Sequence, residues 1–261
     1  MKKSIILSML AGFLTWGCGE SGPELMIKKE INENWQFSQS GKNEWLPAKV
    51  PGTIHTDLMD NGKIEDPFYR LNERDVQWID KTDWEYKTTF FVDGEILRRE
   101  VAELEFEGLD TYAEVSVNGN VVLNADNMFR TWKADVKKYL KGGDNELHIV
   151  LRSPINEGIK KYDAQGFEIP VSDNDLAAIG QVEGNKKVSV YTRKAGYHFG
   201  WDWGPRLVTS GIWRPVTLKA WDRAKIENLQ IVQNTVTDEK ATLTAVFEVN
   251  GVVEGEAHIA V

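Results

Sequence analysis

The 261 residues carry 31 basic and 40 acidic side chains, and the net charge of −9 argues against a nucleic-acid binder, which needs a basic footprint. The apolar share is ordinary, so disorder is not expected, and the length suits one large β domain or one domain with part of a second. Four histidines (His55, His148, His198 and His258) stand at no metal-ligand spacing and the single cysteine has no mate, so neither a metal nor a cofactor is expected. Ten tryptophans against seven tyrosines is a heavy indole load, which favours sugar contact even though most indoles in any fold are buried packing.

The chain opens with Lys2 and Lys3, then an apolar run over 5–16 that is too short to span a bilayer, then Gly17-Cys18. This order resembles a bacterial lipoprotein signal, although Thr15 stands where an aliphatic residue is usual. The resemblance implies a signal peptide over 1–17, acylation of Cys18 and a tether over 18–27. Lipidation is favoured over simple secretion, the alternative, and either route exports the mature protein. The expected place is the periplasm or outer membrane of a bacterium, with membrane contact only through the lipid at Cys18.

From Ile27 the pattern turns to β. Trp35, Phe37 and Trp45 frame a first hairpin-like region, and the stretch 50–62 reads as a turn and a short helix with Thr53 at its N-cap and Gly62 at its stop. His55 on that helix is read as structural. Tyr86, Thr88, Phe90 and Val92 alternate with polar or mixed neighbours. Leu104 and Phe106 alternate with Glu103, Glu105 and Glu107, which predicts one dry and one wet face. Ala113, Val115 and Val117 repeat the rule ahead of Asn118-Gly119, a strong hairpin signal. Leu147, Ile149 and Leu151 predict another strand, as do Val216, Leu218 and Ala220. Ser153-Pro154 opens a helix, and the polar, glycine-containing run 162–187 leads into the most distinctive stretch of the chain.

That stretch is 197–213, YHFGWDWGPRLVTSGIW. Gly200, Gly204 and Pro205 argue for a loop rather than a helix. It presents Trp201 and Trp203 on either side of Asp202. Indole faces are flat apolar platforms, and a carboxylate accepts several hydrogen bonds, so the trio suits a sugar ring with its apolar C–H face and hydroxyl rim. The residues alone leave two readings open: a sugar site, or two core tryptophans with an aspartate capping a turn.

Beyond about 222 a fresh strand series begins, over 226–232, 241–249 and 257–261, with Asn250-Gly251 as a second hairpin turn. It reads as the start of another sandwich that stops mid-strand, too few strands to bury its own face, so the chain is expected to be the N-terminal piece of something longer.

Five stretches in order, 50–69, 77–90, 106–119, 125–130 and 197–216, resemble the exo-acting β-mannosidases of glycoside hydrolase family two. GIWR over 211–214 is shared by the wider family, including β-galactosidases and β-glucuronidases, while HFGWDWGPR over 198–206 points to the mannosidase branch. The resemblance implies an all-β chain: a galactose-binding-like jelly-roll β-sandwich over 28–222, then the start of an immunoglobulin-like β-sandwich over 223–261, with a (β/α)8 barrel to follow. It implies retaining hydrolysis of terminal non-reducing β-D-mannose by two glutamates of the barrel, so no catalytic residue is expected in this chain. The loop residues Trp201 and Asp202, with Trp203, are expected to reach the terminal sugar of a β-mannoside glycan. Tyr197, His198 and, in a secondary role, Trp203 are expected to support the loop, and Asn127 and Arg130 to form a structural pair beneath it. The alternatives are a non-catalytic carbohydrate-binding surface lipoprotein and a sibling β-galactosidase or β-glucuronidase activity.

Overall fold

The computed structural model describes residues 26–251. The signal segment, Cys18, most of the tether and the strand expected over 257–261 lie outside the described residues. The strands are β1 (Met26–Glu30), β2 (Gln36–Gln39), β3 (Leu46–Pro47), β4 (Trp84–Val92), β5 (Val101–Phe106), β6 (Leu109–Asp110) and β7 (Tyr112–Val117). They continue with β8 (Asn120–Asp126), β9 (Trp132–Asp135), β10 (Gly143–Arg152), β11 (Gly211–Ile212), β12 (Val216–Trp221), β13 (Ala224–Val236) and β14 (Ala241–Gly251). Three α-helices join them: α1 (Ile54–Asp60), α2 (Gly94–Arg98) and α3 (Pro154–Gln165).

A six-stranded sheet, β3-β2-β4-β10-β7-β8, faces a four-stranded sheet, β1-β12-β5-β9, with antiparallel pairing throughout. The period-2 positions read from the sequence meet between them. Tyr86, Phe90 and Val92 from β4, Val115 and Val117 from β7, and Leu147, Ile149 and Leu151 from β10 share one core with Leu104, Phe106, Leu218 and Ala220 of the other sheet. The chain is therefore the expected β-sandwich. Asn118 (φ 49°) and Gly119 (φ 78°) are both left-handed, the backbone a two-residue hairpin between β7 and β8 requires.

The helix ends also follow their sequence signals. Thr53 caps α1, and Gly62 follows Asn61 with φ 63°. Ser153 Oγ accepts the N–H of Asn156 at 3.0 Å, Pro154 sits in the first turn of α3, and Gly166 ends the helix in the left-handed region at φ 75°.

Three readings need correction. β1 starts at Met26 and pairs with β12, so the last two tether residues are strand. Asn250 and Gly251, expected as the turn after the 241–249 strand, are instead the last paired residues of β14, opposite Lys225 and Ala224, and the strand expected beyond them lies outside the described residues. The acidic face of β5 is not wet: Glu103 and Glu105 are buried under lysines from later strands. Lys225 reaches Glu103 at 2.6 Å and Lys219 reaches Glu105 at 2.5 Å, while Lys133 bonds Glu227 at 2.6 Å. Alternation identified the two faces of β5, but paired charge satisfies a carboxylate as well as water does. This network roots the β13–β14 hairpin on the sandwich. Away from its root the hairpin is open, with Ile226, Ile231, Val236 and Leu243 all exposed.

Candidate functional site

Between α3 and β11 the chain runs for some forty residues without a strand, folding through short 3₁₀ turns at Glu183–Asn185, Ser189–Tyr191 and Gly196–Phe199. It carries its own small core, in which Ala177, Val182, Val188, Phe199 and Val208 pack on Ile155 of α3. Loops at one end of a rigid sandwich are where binding residues collect, and this one is held unusually firmly.

Two buried cations hold it. Arg206 is wholly buried and donates through Nη1 to Gln77 Oε1 and Asp80 Oδ2, both at 2.5 Å. Its backbone N–H donates to Glu73 Oε1 at 2.6 Å, and its carbonyl accepts from Gln77 Nε2 at 2.8 Å. Gly180 lies against the guanidinium so closely that a Cβ there would collide with it. The second cation, Lys194, is buried in an ion pair with Asp110, whose other oxygen accepts from Thr111. Thr209 Oγ1 also donates to Asp110 Oδ2, at 2.9 Å, and lies 3.2 Å from His198 Nδ1. Burial works to lower the pKa of Lys194, against the pull of Asp110.

The same burial, reinforced by the charge of Lys194, holds His198 down to about 4 and His55 down to about 3, so both are neutral imidazoles at pH 7. His55 is buried on α1 with Nδ1 unpartnered, a structural position as expected.

Above these groups lies a cavity of about 540 Å³ walled by Trp201, Trp203, Tyr197, His198 and Phe68, with Gly204, Pro205, Leu207 and Thr209 completing it. Trp201 and Trp203 meet edge to face, with centroids 5.6 Å apart at 71°. They are 36% and 82% exposed, which removes the reading of both as core; Trp35, Trp84 and Trp221 fill that role instead. Asp202 stands exposed at the tip between them, outside the cavity wall, and no described residue donates a hydrogen bond to it. An unbonded carboxylate beside two open indoles can accept hydrogen bonds from a ligand's hydroxyls without first breaking any within the protein.

Tyr197 and Trp203 are exposed cavity walls, each set edge to face against a neighbouring ring, His198 and Trp201. One supporting role read from the sequence does not hold. Asn127 and Arg130 are not a pair: Asn127 turns its own segment by accepting from Phe129 N at 2.9 Å and bridges to Arg193, while Arg130 is exposed and lies over Trp132. The sequence reading missed Phe68, some 130 residues earlier than the loop, although the stretch 50–69 had been singled out. It also missed Lys194 and Asp110, which carry no local signal of a mutual contact. Among the described residues no cluster of three or more metal-ligating side chains is present.

Residues 35–214 match the family model described as glycosyl hydrolase 2 galactose-binding domain-like. The chain is 36% identical over 225 residues to beta-mannosidase B of Emericella nidulans, covering 84% of this chain and 25% of that protein. It is 35% identical to beta-mannosidase B of Thermothelomyces thermophilus, with the same two shares. Among solved structures it superposes on the beta-D-mannosidase of Dictyoglomus thermophilum with a TM-score of 0.79 and 37% identity, over 86% of this chain and 26% of that one. A beta-D-glucuronidase from the same organism shares the fold at 17% identity and a TM-score of 0.55, over 88% of this chain and 34% of that one. The chain thus spans about a quarter of the length of the mannosidases it matches.

Proposed function

This chain belongs to the glycosyl hydrolase 2 family through its galactose-binding-like domain, and we propose that it is the N-terminal part of an exo-acting, retaining β-mannosidase. The supporting relatives are those named mannosidases at more than a third identity across most of the chain. In this reading the hydrolytic glutamates, about 5–5.5 Å apart in retaining enzymes, belong to the rest of the protein. No glutamate or aspartate lines the cavity here.

The observation that carries the local role is the open tip of the loop, two indoles and an unbonded acid over an apolar cavity. Trp201 and Trp203 would pack on the C–H face of the terminal sugar. Asp202 would accept from hydroxyls remote from the reacting carbon. Binding energy gained at remote hydroxyls is usable for holding the ring near its transition state. A wall closing the far side of the ring leaves room for one terminal residue, which makes the action exo.

The full-length protein turns over an aryl β-mannoside on this reading. Turnover of an aryl β-galactoside or β-glucuronide in its place moves the protein to a sibling activity, and no turnover of any of them moves it to a carbohydrate-binding protein without chemistry. Export is proposed on the segment 1–18 alone: the mature N-terminus is an acylated Cys18, read by its mass. An unmodified N-terminus would leave simple secretion.

A further inference from the structure

The sugar contacts proposed for the loop use the indoles and Asp202 and leave His198 idle, although it lines the cavity. Its tautomer can be worked out from its partners. Thr209 has one hydroxyl proton and two neighbours that could take it: the Asp110 carboxylate at 2.9 Å and His198 Nδ1 at 3.2 Å. The charged and nearer acceptor takes it, because charge-assisted hydrogen bonds are the shorter and stronger ones. Lys194, 3.4 Å away, also donates to the same hydroxyl oxygen. Thr209 Oγ1 is therefore an acceptor towards the ring, so Nδ1 carries the hydrogen. In a neutral imidazole the other nitrogen is then a bare lone pair. Nε2 has no protein partner, and it is not among the buried unpartnered atoms, so solvent reaches it.

We propose that His198 is a ligand-binding residue that presents a fixed hydrogen-bond acceptor to the cavity, taking a proton donor such as a sugar hydroxyl and disfavouring a carboxylate. The inference rests on the cavity being the sugar site. Its chemistry is one-sided. A hydroxyl donates to Nε2 directly, whereas a carboxylate brings only lone pairs and finds no lysine or arginine in the wall. To become a donor at pH 7 the ring would have to move its hydrogen from Nδ1 to Nε2, which turns the Thr209 hydroxyl away from Asp110, or take up a proton, disfavoured about a thousandfold for a group held near 4 beside buried Lys194. The site is thus wired for a neutral sugar over the corresponding uronic acid.

The tautomer is read directly from long-range ¹H–¹⁵N spectra of the chain at pH 7, with His198→Gln identifying the signal among four histidines. An Nδ1–H ring is expected; an Nε2–H ring or an imidazolium overturns the proposal. In the full-length protein acting on an aryl β-mannoside, His198→Asn is expected to raise KM about tenfold with a smaller change in kcat, while His198→Gln restores most of the loss by placing an amide oxygen near the Nε2 position. Mannose should inhibit at least about tenfold better than mannuronic acid, and His198→Asn should narrow that gap. An unchanged KM in His198→Asn, or equal inhibition by the two sugars, overturns it. Because the spectrum needs no turnover, a protein inactive on mannosides that still shows Nδ1–H loses the proposed reaction and keeps the hydroxyl acceptor.

Discussion

Asp202 and Arg206 lie four residues apart in one loop, and their surroundings are opposite. Arg206 has no exposed surface and anchors to three side chains of the segment 73–80. Asp202 is in solvent, and its carboxylate bonds to no described residue. The root of the loop spends buried charge on holding still, and the tip spends nothing on itself. A surface tip held only by one backbone bond, from Gly204 N–H to the Trp201 carbonyl, and an edge-to-face indole pair would wander unless its root were fixed, and fixing it beforehand spares a ligand the ordering cost. The contrast teaches that root and tip should fail differently: damage to the root shows in stability, damage to the tip in kinetics.

The largest stability effect is expected at the root. Arg206→Ala leaves buried Asp80 with Lys81 alone, at 3.2 Å and partly exposed, and should cost about 3 kcal/mol in urea unfolding. A loss below about 1 kcal/mol would mean the guanidinium does not hold the loop. Acid should act next. His55 and His198 are held below the usual 6.5, so the unfolded chain takes up protons first, and stability is lost as pH falls from about 6.5 towards 4 and 3. Between pH 7 and 5 the loss should be on the order of 3 kcal/mol for the two together, read as a falling Tm, and a flat profile would contradict it. Gly180→Ala pushes a methyl into the Arg206 guanidinium and should cost about 1–3 kcal/mol. Smaller still is the hairpin. Burial opposes ionisation of Glu227, yet bonds from Lys133, Asn250 and Lys225 hold it down to about 2. Its contribution is therefore present above about 4.5 and lost as pH drops towards 2, and amide exchange in β13 and β14 should quicken across that window before the sandwich yields.

Much of this was legible in the chain. Period-2 alternation located β4, β5, β7, β10 and β12, because each packs one face on a single core. Thr53, Ser153-Pro154 and Asn118-Gly119 marked two helix starts and a hairpin, because caps and tight turns depend on a few adjacent residues. The displayed indoles were legible because Gly200 before them and Gly204-Pro205 after them argue against a helix. What escaped notice depends on partners far apart in sequence. Glu105 looks like a solvated carboxylate until Lys219 pairs with it from 114 residues away. Lys194 looks like a surface lysine until Asp110 meets it from 84 residues away. The acceptor role of His198 escaped for the same reason, since it follows from which neighbour takes one hydroxyl proton.

The most direct test compares stability and turnover in a single variant of the full-length protein, Asp202→Ala. The account predicts an unchanged Tm, because the carboxylate bonds to no described residue, together with a loss of about 10² or more in kcat/KM on an aryl β-mannoside, from a hydrogen bond that strengthens in the transition state. Unchanged kinetics, or a Tm that falls along with activity, would contradict it and return the indole loop to a purely structural role.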